Sequence, residues 1–123
     1  MTTSKNQPFS ARIKFALNGL AHAIASESSL RFQVAAGGAA LLALAVLHPE
    51  PLWWALVLLA CGAVIGAELF NTAIEQLADH LHPETHASIR IVKDCAAAAV
   101  LVSSLAAIAV AVSLGVHLYL ARG

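Results

Sequence analysis

The chain has 123 residues, of which 59% are hydrophobic and only 11% charged, with a mean hydropathy of +0.78. Soluble domains run at about 45–50% apolar and about 25% charged, so the composition argues against a water-soluble enzyme and for a single integral-membrane domain. Seven basic and seven acidic residues cancel, which leaves no electrostatic case for a nucleic-acid partner, and two cysteines make no disulfide framework.

From the N-terminus, Phe9, Ile13, Ala16, Leu17, Leu20 and Ile24 recur at helical spacing opposite Arg12, Lys14 and His22. That pattern predicts an amphipathic helix at about 9–26 lying on a membrane surface. A secretory signal is not expected, because a long polar preface precedes the first apolar run. That run, residues 32–47, is short for a full crossing and borrows Leu30 and its neighbours, giving a span at about 29–48. His48-Pro49-Glu50-Pro51 ends it, since neither proline continues a helix. A second span is expected at about 52–79 and a third at about 91–121. Neither a second soluble domain nor a low-complexity linker is expected. The fold class is thus an all-α membrane protein, one domain over residues 1–123.

Basic residues set the orientation. Lys5, Arg12, Lys14 and Arg31 precede the first span, and Arg90 and Lys93 separate the second from the third, whereas the loop at 48–51 has no Lys or Arg. The positive-inside rule places the N-terminus and the second loop in the cytoplasm. Trp53 and Trp54 then read as anchors at the far interface.

The second span passes without a break into a polar stripe. At about 100° per residue, Glu68, Asn71, Thr72, Glu75 and Asp79 fall on one helix face. A carboxylate at mid-membrane costs about 2.5–3.5 kcal/mol, so such an acid is a functional candidate by default. Counting about 1.5 Å per residue from Leu52 puts Glu68 and Asn71 near the cytoplasmic boundary and Glu75 about a turn beyond. Glu27 and Arg31 stand at the same level at the start of the first span, and Lys93 and Asp94 at the start of the third. Carboxylates with Asn and Lys are the hard groups that hold Mg²⁺ and a polyphosphate. A slightly deeper carboxylate is suited to take a proton from a lipid hydroxyl. Together they fit phosphoryl transfer from a nucleotide to a lipid. No glycine-rich phosphate loop of either common type is present.

Alternative roles for the same residues are structural. Gly62 and Gly66, and the alanines at 96–99, suit close helix packing. Arg12 and Lys14 suit anionic lipid. Asp79 fits either the site or the solvated end of the stripe, and Glu84 and His86 fit either a solvated loop or contact with nucleotide. His80, His82 and His86 have zinc-ligand chemistry, but Pro83 interrupts their helical pairing. Two other functional classes use similar chains. A small multidrug-type transporter would need a fourth span and a more central acid, and a non-enzymatic assembly subunit would need no clustered acids.

The run Glu68-Leu69-Phe70-Asn71-Thr72-Ala73-Ile74-Glu75, with Asp79, His86 and Lys93-Asp94-x-Ala96-Ala97-x-Ala99-Val100-Leu101, resembles the small prokaryotic diacylglycerol kinase family over almost the whole chain. The resemblance implies an ATP- and Mg²⁺-dependent lipid kinase of the bacterial inner membrane, homotrimeric, with sites between subunits. It casts Glu68 as the general base and substrate contact, and Glu27 and Glu75 as metal-bridging carboxylates. Asn71 becomes a ligand or orienting amide, and Lys93 the phosphate-neutralising cation. Asp94 contacts nucleotide or orients Lys93, Glu84 and His86 approach adenosine, and Phe15 is the aromatic beside it. Arg12 and Arg31 steer phosphate or headgroup. Ala97 stands where diacylglycerol-specific members commonly have Ser, and Leu17-Asn18-Gly19 where they tend to have Trp before Lys-Gly. The Asn-Thr-Ala-Ile-Glu core is similar to the undecaprenol kinase branch, so diacylglycerol is the expected substrate and undecaprenol the alternative.

Overall fold

The computed structural model describes residues 6–123, so Lys5, counted above for orientation, lies outside the described residues. Four helices follow in order: α1 (Phe9–Ser26), α2 (Ser28–Leu47), α3 (Pro51–Leu81) and α4 (Ala87–Ala121). The described residues contain no strand. Three of the helices are long and apolar enough to cross a membrane. The chain is an all-α membrane protein.

Each break has a local cause. Between α1 and α2 the helix is interrupted at Glu27 alone, whose φ of −114° and ψ of 112° are extended, while its N–H still bonds Ala23 O at 2.8 Å. His48 closes α2 in the left-handed region, with φ 49°. Pro49 follows, and Pro51 starts α3 at the position where a missing N–H costs nothing. Beyond α3, Pro83 prevents continuation, and the His86 ring caps α4 by accepting from Ser88 N at 3.1 Å.

Helix lengths decide where polar groups emerge. The 31 residues of α3 and 35 of α4 run about 46 Å and about 52 Å, against a hydrocarbon core of about 30 Å. The Trp53 and His117 rings, 5.4 Å apart, tie the first turn of α3 to the last turns of α4. Level at that end, both helices overshoot at the other, where residues 82–86 join them. We call this the loop end.

The central element is α3, which packs along α4 and against α2, and α1 touches only α2 and α3. Because α2 and α4 do not pack on each other, an apolar cleft of about 430 Å³ opens between them over α3. Leu44, Val57, Cys61, Ala107 and Leu114 line it, and Gln33 is one of its few polar walls. Leu30 and Leu44 are fully buried. Ser103 and Ser113 bond back to carbonyls of their own helix, Ala99 O at 2.8 Å and Ala109 O at 2.7 Å, so neither hydroxyl meets the apolar surroundings unpaired.

Of the expected small-residue packing surfaces, the chain itself buries only Ala96. A Cβ at Gly62 or Gly66 would meet nothing within 4 Å, and of the alanines at 96–99 only Ala96 is buried. The close approach is instead at Gly37, where a Cβ would lie 3.5 Å from Cys61 Sγ. Spacing identified glycines that permit close packing but not which helix face has a neighbour.

Leu42 and Leu44 differ only in face, one 67% exposed and the other 1%. Leu44→Ala is expected to destabilise the folded protein in detergent by about 2 kcal/mol, and Leu42→Ala by much less. Reversible unfolding in mixed micelles reads the difference, and equal losses would mean that α2 does not pack as described.

Candidate active site

The polar stripe of α3 faces the protein. Glu68 and Thr72 are only 4% and 5% exposed, the two buried polar side chains of the described chain. Both lie one helical turn apart on the stripe, and lipid contact would leave an acid and a hydroxyl without partners. From α2, Gln33 Nε2 donates to Glu68 Oε1 at 3.2 Å. Toward the loop end, Asn71 Nδ2 donates to Glu75 Oε1 at 3.4 Å. About 10 Å separates Glu68 from Glu75 along the axis, and about 16 Å separates Glu68 from Asp79.

Three buried polar atoms near this stripe have no partner: Gln33 Oε1, Asn71 Oδ1 and Thr72 Oγ1. Two are carbonyl oxygens and one is a hydroxyl, all hard donors to a cation or acceptors for an O–H. Of these, Asn71 Oδ1 lies beside the Glu75 carboxylate, and that pair has the chemistry of a small hard divalent ion's site, which takes one or two carboxylates and fills its remaining positions with water and phosphate. Among the described residues, no three His, Cys, Asp or Glu side chains converge to hold a metal by themselves. His80, His82 and His86 accordingly do not come together as one ligand group among the described residues, although the His82 and His86 rings lie 5.5 Å apart.

A second site lies at the loop end. A cleft of about 290 Å³ is lined by residues from the end of α3, the loop and the start of α4. It brings together Glu84, His86, Lys93 and Asp94, all singled out from the sequence, with Asp79. Lys93 Nζ forms an ion pair with Asp79, so the end of the stripe carries the partner of this cation although the Asp79 side chain is largely solvated. His82 and Arg90 also line the cleft and were not singled out for this role. Arg90 was legible as a site residue, since it precedes Lys93 by three and so shares its face.

Other expected residues lie elsewhere in the chain. Phe15 and Arg12 are exposed on α1, which does not pack on α4, and neither lines the loop-end cleft. Glu27 is half-buried at the α1–α2 elbow, and five residues earlier His22 Nε2 of α1 meets Gln76 Nε2 of α3 at 3.0 Å. Arg31 is engaged with backbone: its Nη1 donates to Ile24 O at 2.8 Å and Ala25 O at 3.0 Å, satisfying carbonyls that the end of α1 would leave free. Gln33 was missed by the sequence reading. Its signal was a single amide inside an otherwise apolar run beginning at Phe32, a position where a side chain must find a partner across the bundle.

The Lys93 and Asp79 side chains are 35% and 63% exposed. Asp79→Asn should therefore change folding stability by no more than about 1 kcal/mol, as for other solvated ion pairs. A larger loss in detergent unfolding would show that the pair holds α3 and α4 together.

A family profile described as prokaryotic diacylglycerol kinase matches residues 14–114, a stretch that contains every candidate residue above except Arg12. A diacylglycerol kinase from Synechocystis sp. is 35% identical over 98 residues, covering 79% of this chain and 56% of that relative. The chain thus aligns with little more than half the length of this curated relative. With a buried acid on an inward polar stripe, a basic and acidic cleft beyond it, and a match across most of its length, the chain belongs to the prokaryotic diacylglycerol kinase family.

Proposed function

We propose that the protein is a lipid kinase that transfers the γ-phosphoryl group of ATP to the hydroxyl of a membrane lipid, with diacylglycerol as substrate and phosphatidic acid as product. The observation that carries this reading is the placement of Glu68. It is a buried carboxylate held by Gln33, a residue that also lines the apolar cleft between α2 and α4. An acid so placed meets a lipid hydroxyl from the membrane side and phosphate from the loop end.

Glu68 acts as the general base. It removes the hydroxyl proton as the lipid oxygen attacks the γ-phosphorus, the bond to the β–γ bridging oxygen breaks, and ADP leaves. Such transfers depend mainly on alignment and charge neutralisation, which suits the remaining residues. Glu75 with Asn71, and Glu27 from the α1–α2 elbow, would hold Mg²⁺, which supplies charge compensation on the phosphates when bound. Lys93 neutralises phosphate and is released from Asp79 to do so. Asp94, Glu84 and His86 line the cleft proposed for the nucleotide. The His86 Nδ1 is occupied by capping α4, so its other ring nitrogen is the one offered to a ligand.

The placement of Phe15, Arg12 and Glu27 apart from the loop-end cleft supports sites completed by a second copy, and the family resemblance supports a trimer. The basic residues at the loop end support an orientation in which the site faces the cytoplasm of a bacterial inner membrane. A specific observation favours undecaprenol as the alternative substrate: Ala97 and Leu17-Asn18-Gly19 depart from the diacylglycerol pattern. A transporter lacks support, since the described residues provide three candidate spans and not four.

Purified protein given Mg²⁺ and γ-labelled ATP in mixed micelles is expected to phosphorylate lipid. Offered diacylglycerol and a polyprenol together, it should label diacylglycerol; label on the polyprenol alone would establish the alternative, and label on neither would refute the kinase reading. Glu68→Gln and Glu75→Gln should each lower turnover at least a hundredfold, about 2.7 kcal/mol or more of transition-state stabilisation, while still inserting and assembling. Near-full activity in both would refute the assignment of these carboxylates.

A further inference from the structure

We infer that Gln33 is a positioning residue for Glu68, a role that rests on the lipid-kinase reading above. The contact is single and directional. Gln33 Nε2 lies 3.2 Å from Glu68 Oε1, reaching from α2 to α3 across 35 positions of sequence. Among the described residues, no other side chain bonds the Glu68 carboxylate. Its second oxygen is therefore free to receive a hydroxyl proton, while the first is fixed by the amide.

The chemistry of an amide suits a base that must change protonation state. An ionised carboxylate only accepts, so it needs the NH₂ of Gln33. Once Glu68 has taken a proton it donates, and the amide can turn so that its oxygen accepts. That oxygen, Gln33 Oε1, is buried and without a partner, as is the Thr72 hydroxyl one turn beyond Glu68 on the same face. Neither a lysine nor an aliphatic side chain could hold the carboxyl group in both states. Burial makes the contact consequential, because a carboxylate 4% exposed has almost no water to replace a lost donor. Gln33 also lines the apolar cleft beside Phe32. It therefore stands where the hydroxyl end of a lipid lying in that cleft would approach Glu68.

The test compares wild type with Gln33→Met, which keeps the length of the side chain and removes both polar atoms, and Gln33→His, which restores a group able to donate or accept. In mixed micelles with Mg²⁺-ATP and diacylglycerol, or the polyprenol if that is the lipid labelled, Gln33→Met should lower kcat at least tenfold. The KM for ATP and for lipid should stay within twofold, and Gln33→His should recover kcat to within about threefold of wild type. A kcat unchanged in Gln33→Met, a loss confined to KM, or a Gln33→His as impaired as Gln33→Met would overturn the inference. A second measurement needs no turnover. With ¹³C-labelled glutamate, the infrared carboxylate bands that disappear in Glu68→Gln belong to Glu68. Those bands should move in Gln33→Met, and bands unmoved would overturn the contact even if folding or assembly were impaired. Wild-type protein that phosphorylates no lipid while these bands do move would refute the kinase reading and leave the pairing of Gln33 with Glu68 standing.

Discussion

An acid cannot face hydrocarbon without a partner, and the chain is organised around that constraint. Glu68 sits in an apolar helix, so the face that carries it must be covered by protein. That requirement turns the stripe of α3 inward and makes α3 the helix on which both α2 and α4 pack. It also explains why so little else is buried. Apart from Glu68 and Thr72, the buried residues are Ala, Leu and Val, while large side chains such as Phe32 and Leu105 face outward, where lipid tails are as apolar as a protein core. Packing in this molecule protects polar groups more than it removes oily ones from water.

Overshoot of α3 and α4 then divides the polar face into two environments. Near Glu68 the surroundings are enclosed and apolar, with one amide reaching across from α2. About three turns further along α3, Asp79 meets Lys93 at a cleft open to water. One continuous helix thus spans a place suited to a lipid hydroxyl and a place suited to a charged, water-soluble group. Asn71 and Glu75 lie between them on the same stripe, bonded to one another. Both environments are set by a single helix that is continuous over 31 residues.

Much of this was legible in the residues. The three apolar runs and the prolines at 49 and 51 placed the long helices to within a few positions, because hydropathy and missing N–H groups act locally. The stripe of α3 was legible for the same reason, as a helical period needs no knowledge of neighbours. Pairings between helices were not. Gln33 with Glu68 depends on the angular setting of α2, and Lys93 with Asp79 on how residues 82–86 return the chain. The backbone contacts of Arg31 were not legible either. A cation at headgroup level suggests phosphate, and its Nη1 also satisfies carbonyls at the end of α1, a demand created by the one-residue break at Glu27. Gly62 and Gly66 show the converse, with a spacing that permits close packing on a face where the chain itself places nothing.

The open faces and the unpartnered polar atoms point in one direction. Asn71 Oδ1 and Thr72 Oγ1 are buried from water and bonded to nothing within the chain. Native proteins leave few such groups, and where they persist they sit at positions completed by a ligand, water or another subunit. Here they flank the acids of α3, while Arg12 and Phe15 stand exposed on a helix that does not reach the loop-end cleft. A single copy therefore carries Glu68, Asn71, Glu75 and the loop-end cleft along one stretch of α3 and its junction with α4, and leaves Arg12 and Phe15 apart from them. The acids were placed by the need to hide from lipid. The unpartnered amide and hydroxyl oxygens beside them, on Asn71 and Thr72, are enclosed by the same packing.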